Sequence, residues 1–155
     1  MANVKNEKYG IASCNAEVDA LKRMGVQERN IYCTGNCNGF FQRISFGDVL
    51  CVCNVKSFAV GAYELYNRLE YLKMRGIEFR SAGEKFLNFS SAKSLPKTTV
   101  QALGNLASRE HEFVLWIYNG AVSKDVKNQL ISRVRWEFLT NVVLMFSSNG
   151  VKHRN

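Results

Sequence analysis

Residues 47–82 read GDVLCVCNVKSFAVGAYELYNRLEYLKMRGIEFRSA, and this stretch decides the fold. Asp48 and the apolar run Val49, Leu50, Cys51 and Val52 lie between Gly47 and Asn54-Val55-Lys56. Such a run, bounded by turn residues, is the pattern of a short buried strand in a parallel sheet covered on both faces. From Val60 the apolar residues Tyr63, Leu65, Tyr66, Leu69, Leu72 and Met74 recur at steps of three and four, which predicts a helix with Glu64, Arg68, Glu70 and Lys73 on its solvent side. Gly76 closes it, because glycine tolerates the left-handed backbone that commonly ends a helix. Ile77, Phe79 and Ser81 then alternate with Glu78 and Arg80 as a second strand. A strand-helix-strand unit is normally parallel and right-handed and carries its functional groups on the loop after the first strand, here Asn54 to Gly61.

Upstream the same alternation repeats. Lys8 to Cys14 (KYGIASC) predicts a first strand that runs out at Ser13, and Ala16, Ala20, Leu21 and Met24 set the apolar face of a short helix stopped by Gly25. Asn30 to Cys33 is a second short strand, TGNCNG a loop by composition, and Phe40, Phe41, Ile44 and Phe46 have helical spacing. The first half thus reads β, α, β, α, β, α, β, the mark of an α/β fold with a three-layer, open, mostly parallel sheet.

Downstream, Phe86, Leu87 and Phe89 suggest a short edge strand, and 90–97, with the single proline, a polar connector. Thr98 and Thr99 are candidate caps for a long helix with Val100, Leu103, Leu106, Phe113, Val114 and Ile117, stopped at Asn119-Gly120. Ser123 is the candidate cap of a second, in which Val126, Leu130, Val134, Phe138, Val142 and Met145 keep steps of three or four to an end near Ser147. The two should form an antiparallel hairpin. Residues 1–97 are then the α/β domain and 98–155 its helical extension, with Trp116 and Trp136 adding more apolar surface than one sheet face needs. That surplus fits either an oligomer interface or a thicker core.

With 155 residues the chain can bury roughly two thirds of its unfolded surface in a single core. The formal charge of +8 divides into +3 up to Ala92 and +5 in the shorter remainder. Such an excess favours an anionic partner, nucleic acid before a membrane. The five cysteines Cys14, Cys33, Cys37, Cys51 and Cys53 are odd in number and follow no signal peptide, the pattern of reduced thiols in a cytoplasmic protein. Their C-x3-C and C-x-C spacing lacks the pairing of a zinc site, so neither metal nor cofactor is expected. No apolar run approaches the ~20 residues of a membrane span. His111 and His153 read as packing or surface residues.

In this order the fragments resemble the catalytic domain of the serine recombinases, the resolvases and DNA invertases, from about Lys8 to Gly120. Tyr9-Gly10-Ile11-Ala12-Ser13 is similar to the family's opening strand Tyr-x-Arg-x-Ser, with Ser13 in the nucleophile's place. Gly47-Asp48-Val49-Leu50-Cys51-Val52 resembles its Gly-Asp-x-Leu-x-Val strand, and 65–81 its helix and Gly-Ile-x-Phe-x-Ser strand. Thr98 to Gly120 is placed like the helix through which the family dimerises. The resemblance implies metal-free phosphoryl transfer, in which a serine hydroxyl attacks a DNA phosphodiester and arginines neutralise the phosphate. It also implies duplex DNA and a homodimer or related recombinase as partners, through helices 98–118 and 122–147. The DNA-facing cations would be Lys124, Lys127, Arg133, Arg135, Lys152 and Arg154.

The chain departs from the family around Ser13. Ile11 stands for the arginine two residues before the nucleophile, and Lys56-Ser57-Phe58-Ala59-Val60 for the Asp-Arg-x-x-Arg run after the central strand. Asn38-Gly39 replaces the mobile loop's serine-glycine pair, and Arg109-Glu110 reverses the Glu-Arg pair of the long helix. One such cation contributes ~3 kcal/mol to a transition state, so losing three implies lost or strongly reduced strand exchange. Two alternatives stand beside this reading. One is an active recombinase in which Arg23, Arg43, Arg80 or Arg109 folds toward Ser13, and the other a flavodoxin-like interaction module without a DNA role. At the C-terminus, 140–151 faintly resembles the first helix and turn of a helix-turn-helix unit.

Overall fold

The computed structural model describes residues 6–152, with the side chains of 38 and 145–152 outside the description. Four strands, β1 (Lys8–Ala12), β2 (Ile31–Cys33), β3 (Val49–Val52) and β4 (Glu78–Ser81), alternate with helices α1 (Asn15–Arg23), α2 (Asn38–Arg43) and α3 (Ala62–Met74), and α4 (Lys97–Tyr118) and α5 (Lys124–Lys152) follow. The sheet is parallel throughout in the order β2-β1-β3-β4, with Gly10 opposite both Ile31 and Cys51, and Leu50 opposite Phe79. By its contacts the chain divides into two units, Met1–Phe58 with Arg68–Leu95, and Ala59–Asn67 with Pro96–Asn155.

The first unit has three layers because its strands are apolar on both sides. Leu21 of α1, with Val18 and Met24, packs on Ala12, Cys51, Val49 and Ile31. On the other face Phe40 of α2 meets Tyr9 edge-on at 6.0 Å, and Phe58 meets Phe79 at 5.3 Å. Gly10 is what lets α1 approach, since a Cβ there would stand 2.8 Å from a Leu21 methyl. Asp48 starts no strand. Its buried carboxylate accepts from the Glu7 N–H and from the N–H and hydroxyl of Ser45, which pins the start of β1 to the turn before β3.

Several boundaries differ from the sequence expectations. Helix α3 begins at Ala62, leaving Val60 56% exposed, and Met74 is exposed at its far end. Arg68 does not point to solvent: its guanidinium donates to the Phe58 carbonyl and lies over the rings of Phe41 and Phe58 at 5.4 and 5.5 Å. The edge strand around Phe86 is a helical turn, Lys85–Leu87, followed by a single antiparallel bridge from Phe89 to Phe79. The ladder stops there because Asn88 Oδ1 takes the Ser81 N–H at 2.7 Å.

In the second unit α4 and α5 form the expected hairpin. Lys127 donates to the Tyr118 carbonyl and Phe113 meets Phe138 at 6.2 Å, so contacts recede along one helix as they advance along the other. Neither Thr98 nor Thr99 caps α4. The helix starts at Lys97 after extended Pro96, whose carbonyl accepts from Val100, and Thr99 is buried. Ser123 does cap α5, its carbonyl accepting from Lys127 and its hydroxyl from Val126. The helix runs to Lys152, so 147–151 are helical rather than the turn of a helix-turn-helix unit.

Glu110 organises this unit from within. It is 2% exposed, and its Oε2 accepts the N–H groups of Ala62 at 2.5 Å and Tyr63 at 3.4 Å, capping α3 from a neighbouring helix. Gly61 leaves room for it, since a Cβ there would stand 2.6 Å from Oε2. Burial pushes the carboxyl above its ordinary range, against the two N–H donors and Arg135.

Candidate functional site at the carboxyl ends of the first and third strands

The strand order places one topological switch in the sheet. From β1 the chain crosses to β2 through α1 on one face, whereas β4 lies on the far side of β3. The crevice between β1 and β3, at their carboxyl ends, is where open α/β sheets put their ligands. Ser13 follows β1 there and Asn54 follows β3.

Glu17, in the first turn of α1, holds these two loops together. Its Oε1 accepts the Ser13 N–H at 2.7 Å and the Ser13 hydroxyl at 2.9 Å, and the Ser57 hydroxyl reaches Oε1 at 2.7 Å and Oε2 at 2.8 Å. Asn54 Nδ2 donates to Oε2 at 3.1 Å, and the Ser13 and Ser57 oxygens are 3.3 Å apart. The Thr34 hydroxyl, after β2, donates to the Ser57 carbonyl at 2.8 Å. Burial works to raise the Glu17 carboxyl, but the bonds from Ser13, Ser57 and Asn54 outweigh it and hold the group below its ordinary value. Glu17 is therefore a carboxylate at neutral pH.

The surroundings of Ser13 are thus acidic and hydroxylic. Ile11 is 1% exposed and belongs to the core, and Ser57, not Val60, occupies the space beside Ser13. Arg43 donates to the Tyr32 hydroxyl and Arg80 pairs with Glu78, while Arg23 on α1 is exposed. Among the described hydrogen bonds of Ser13, none comes from a cation. Through Glu17 the loop after β1 and the loop after β3 are tied to the first turn of α1.

Sequence reasoning named Ser13 and missed Glu17. The available signal was position: Glu17 lies three residues after the cap Cys14, where an acidic side chain reaches back to free N–H groups. Buried Glu84 was missed likewise; it accepts from Val55 N–H at 2.8 Å and the Ser81 hydroxyl at 2.7 Å, fixing the loop after β3 from its other side.

The expected DNA-facing cations are not gathered in one stripe. Lys124 is exposed in the first turn of α5, and Lys127 is tied to the end of α4 and lies over the Tyr118 ring at 5.8 Å. Arg135 is half-buried near Glu110, and Arg133 is exposed on the opposite side of the helix. The Lys152 side chain and Arg154 lie outside the described residues. His111 stacks on Tyr63 at 4.3 Å, and His153 is also outside the description.

Beside these charges the hairpin exposes large apolar side chains. Trp116 is 75% and Tyr118 65% exposed, Val122 is exposed before α5, and on α5 Val126 and Leu144 lie opposite buried Ile131, Leu139 and Val142, with Trp136 on the flank. Among the described residues there is no metal-binding cluster and no helix long and apolar enough to cross a membrane. No protein-family model matches the chain, and no curated protein matches its sequence.

Proposed function

We propose that this chain is a serine-recombinase-like, DNA-associated cytoplasmic protein that has lost strand exchange and works through its helical hairpin, as a homodimer or beside a related recombinase. One observation carries the loss of chemistry: the Ser13 hydroxyl donates to an ionised carboxylate where the family resemblance calls for arginines. Two like charges about 4 Å apart repel by about 4 kcal/mol at an effective dielectric of about 20. Glu17 therefore opposes a phosphodiester at Ser13 by as much as one arginine would favour it, and the loss of the arginines adds to that.

The parallel sheet, the position of Ser13 after β1 and the long helices after the sheet support the scaffold part of the reading. Its test is a denaturing gel after incubation with supercoiled and linear duplex DNA. No covalent protein-DNA adduct above the level of Ser13→Ala is expected; an adduct that Ser13→Ala abolishes overturns the loss of chemistry.

A second reading, an α/β interaction module without DNA, is favoured by the exposed apolar side chains of the hairpin. Four aromatic residues, Phe113, Trp116, Tyr118 and Trp136, each more than half exposed, offer on the order of 500 Å². That is a large share of the roughly 800 Å² each partner buries in a stable complex.

A further inference from the structure

Of the five cysteines, Cys14 and Cys33 are the two exposed ones, and both line one cavity of about 290 Å³ between the loops after β1 and β2, with Val18, Thr34 and Gly35. The other three are withdrawn from reaction. Cys37 is buried and donates to the Thr34 carbonyl, Cys51 lies in the core, and Cys53 donates to the Glu17 carbonyl at 3.7 Å. Burial raises the thiols of both Cys51 and Cys53, the latter helped by Glu17 and Cys14.

We propose that Cys14 and Cys33 are a thiol-exchange site: a low-molecular-weight disulfide of the glutathione type converts them to a reversible intrachain disulfide across this cavity. The register brings them near each other. Cys33 is the direct partner of Ala12. Neighbouring strands lie ~4.8 Å apart, and two residues of chain reach at most ~7 Å, so the two Cα atoms are within about 12 Å, and both side chains line the same cavity. A disulfide takes Cα separations of roughly 4.4–6.8 Å, so the segment carrying Cys14, between β1 and α1, closes on Cys33 at the end of β2 to form it. Gly35, which also lines the cavity, stands in open space, with nothing within 4 Å of a Cβ built there.

The chemistry balances in two exchanges. One cysteine sulfur attacks the small disulfide, whose S–S bond breaks and releases one small thiolate, leaving a mixed disulfide on the protein. The second cysteine sulfur attacks the protein sulfur of that mixed bond and expels the second small thiolate. Two protein thiols lose two electrons, the small disulfide gains them, and the two cysteine protons end on the two small thiols. A bridge that is exposed and requires loop closure belongs to the readily reduced class. It would draw together Ser13 and Thr34, which follow β1 and β2 in the polar network, whatever that network binds.

The test is incubation of the folded chain with oxidised glutathione, alkylation of the remaining thiols and peptide mass mapping. The expected result is loss of two thiols per chain, a peptide pair joined through Cys14 and Cys33, and full recovery with dithiothreitol. Cys33→Ser should stop at a stable glutathione adduct on Cys14, and Cys14→Ser at one on Cys33. Separate adducts on both cysteines of the unaltered chain overturn the proposal. So does linkage through Cys37, Cys51 or Cys53, or no thiol loss when the urea-unfolded chain has fully reacted.

Discussion

The Ser57 hydroxyl donates its one proton between both oxygens of Glu17, lying 2.7 Å from Oε1 and 2.8 Å from Oε2 of the carboxylate. Ser57 is 2% exposed, so Glu17 is the acceptor that makes its burial tolerable. A carboxylate on α1 and a hydroxyl after β3 thus lock the crevice between the carboxyl ends of β1 and β3.

Removing that acceptor should cost stability. Glu17→Ala leaves the buried hydroxyl with only weaker partners, at a cost of about 1–3 kcal/mol. Thermal unfolding should shift down by roughly 2–4 °C per kcal/mol for a chain of this size. An unchanged Tm would mean that the network contributes nothing.

The pH dependence of that contribution has a definite sign. Glu17 is held below its ordinary value in the folded state, so it adds stability above its unfolded pKa and loses it as pH falls through the lower folded value. Urea midpoints from about pH 6 down to about pH 3 should fall less for Glu17→Gln than for the unaltered chain. Parallel curves would contradict this.

Glu110 has the opposite sign. Burial raises its carboxyl, so the folded state holds the proton to higher pH than the unfolded chain, and this group's contribution falls as pH rises from the ordinary carboxylate range through the raised value. Glu110→Gln keeps an acceptor for Ala62 and removes the buried charge, so it should flatten that fall. Gly61→Ala, by contrast, drives a methyl against the carboxylate and should cost about 1–3 kcal/mol. Urea unfolding of the three chains from about pH 4 to about pH 8 reads both effects.

The hairpin prediction concerns self-association. Trp116→Lys and Val126→Lys replace exposed apolar groups and leave the buried stripe of Ile131, Leu139 and Val142 intact. Sedimentation across a concentration series should show a dimer that either substitution weakens at least about tenfold, or about 1.4 kcal/mol. A monomer at every concentration would assign the apolar surface to another protein.

The sheet was legible in the sequence because its signals are local. Short apolar runs stopped by Gly25, Gly47 and Gly76, all three with positive φ in the structure, mark the alternation of strand and helix without any tertiary knowledge. The site was half legible. Ser13 ends a strand by its position in a pattern, but Ser57, 44 residues away, and Asn54, which meets it on Glu17, join this loop only when β1 and β3 are neighbours. Arg68 was misplaced and the role of Glu110 passed over for the same reason: periodicity puts charges on a helix's polar face, while the Phe41 and Phe58 rings and the free N–H groups of α3 draw these two inward. The start of α4 was misread because extended Pro96, not a threonine, begins it.

The most direct test of the central claim is the affinity for duplex DNA measured as salt rises from about 50 to 200 mM. A DNA-associated protein should bind at the low end and lose affinity steeply, because phosphate contacts release counterions, and Lys124→Glu with Arg133→Glu should make that slope shallower. No binding at low salt, or binding indifferent to salt and to both substitutions, would contradict the DNA role and leave the hairpin as a protein-binding surface alone.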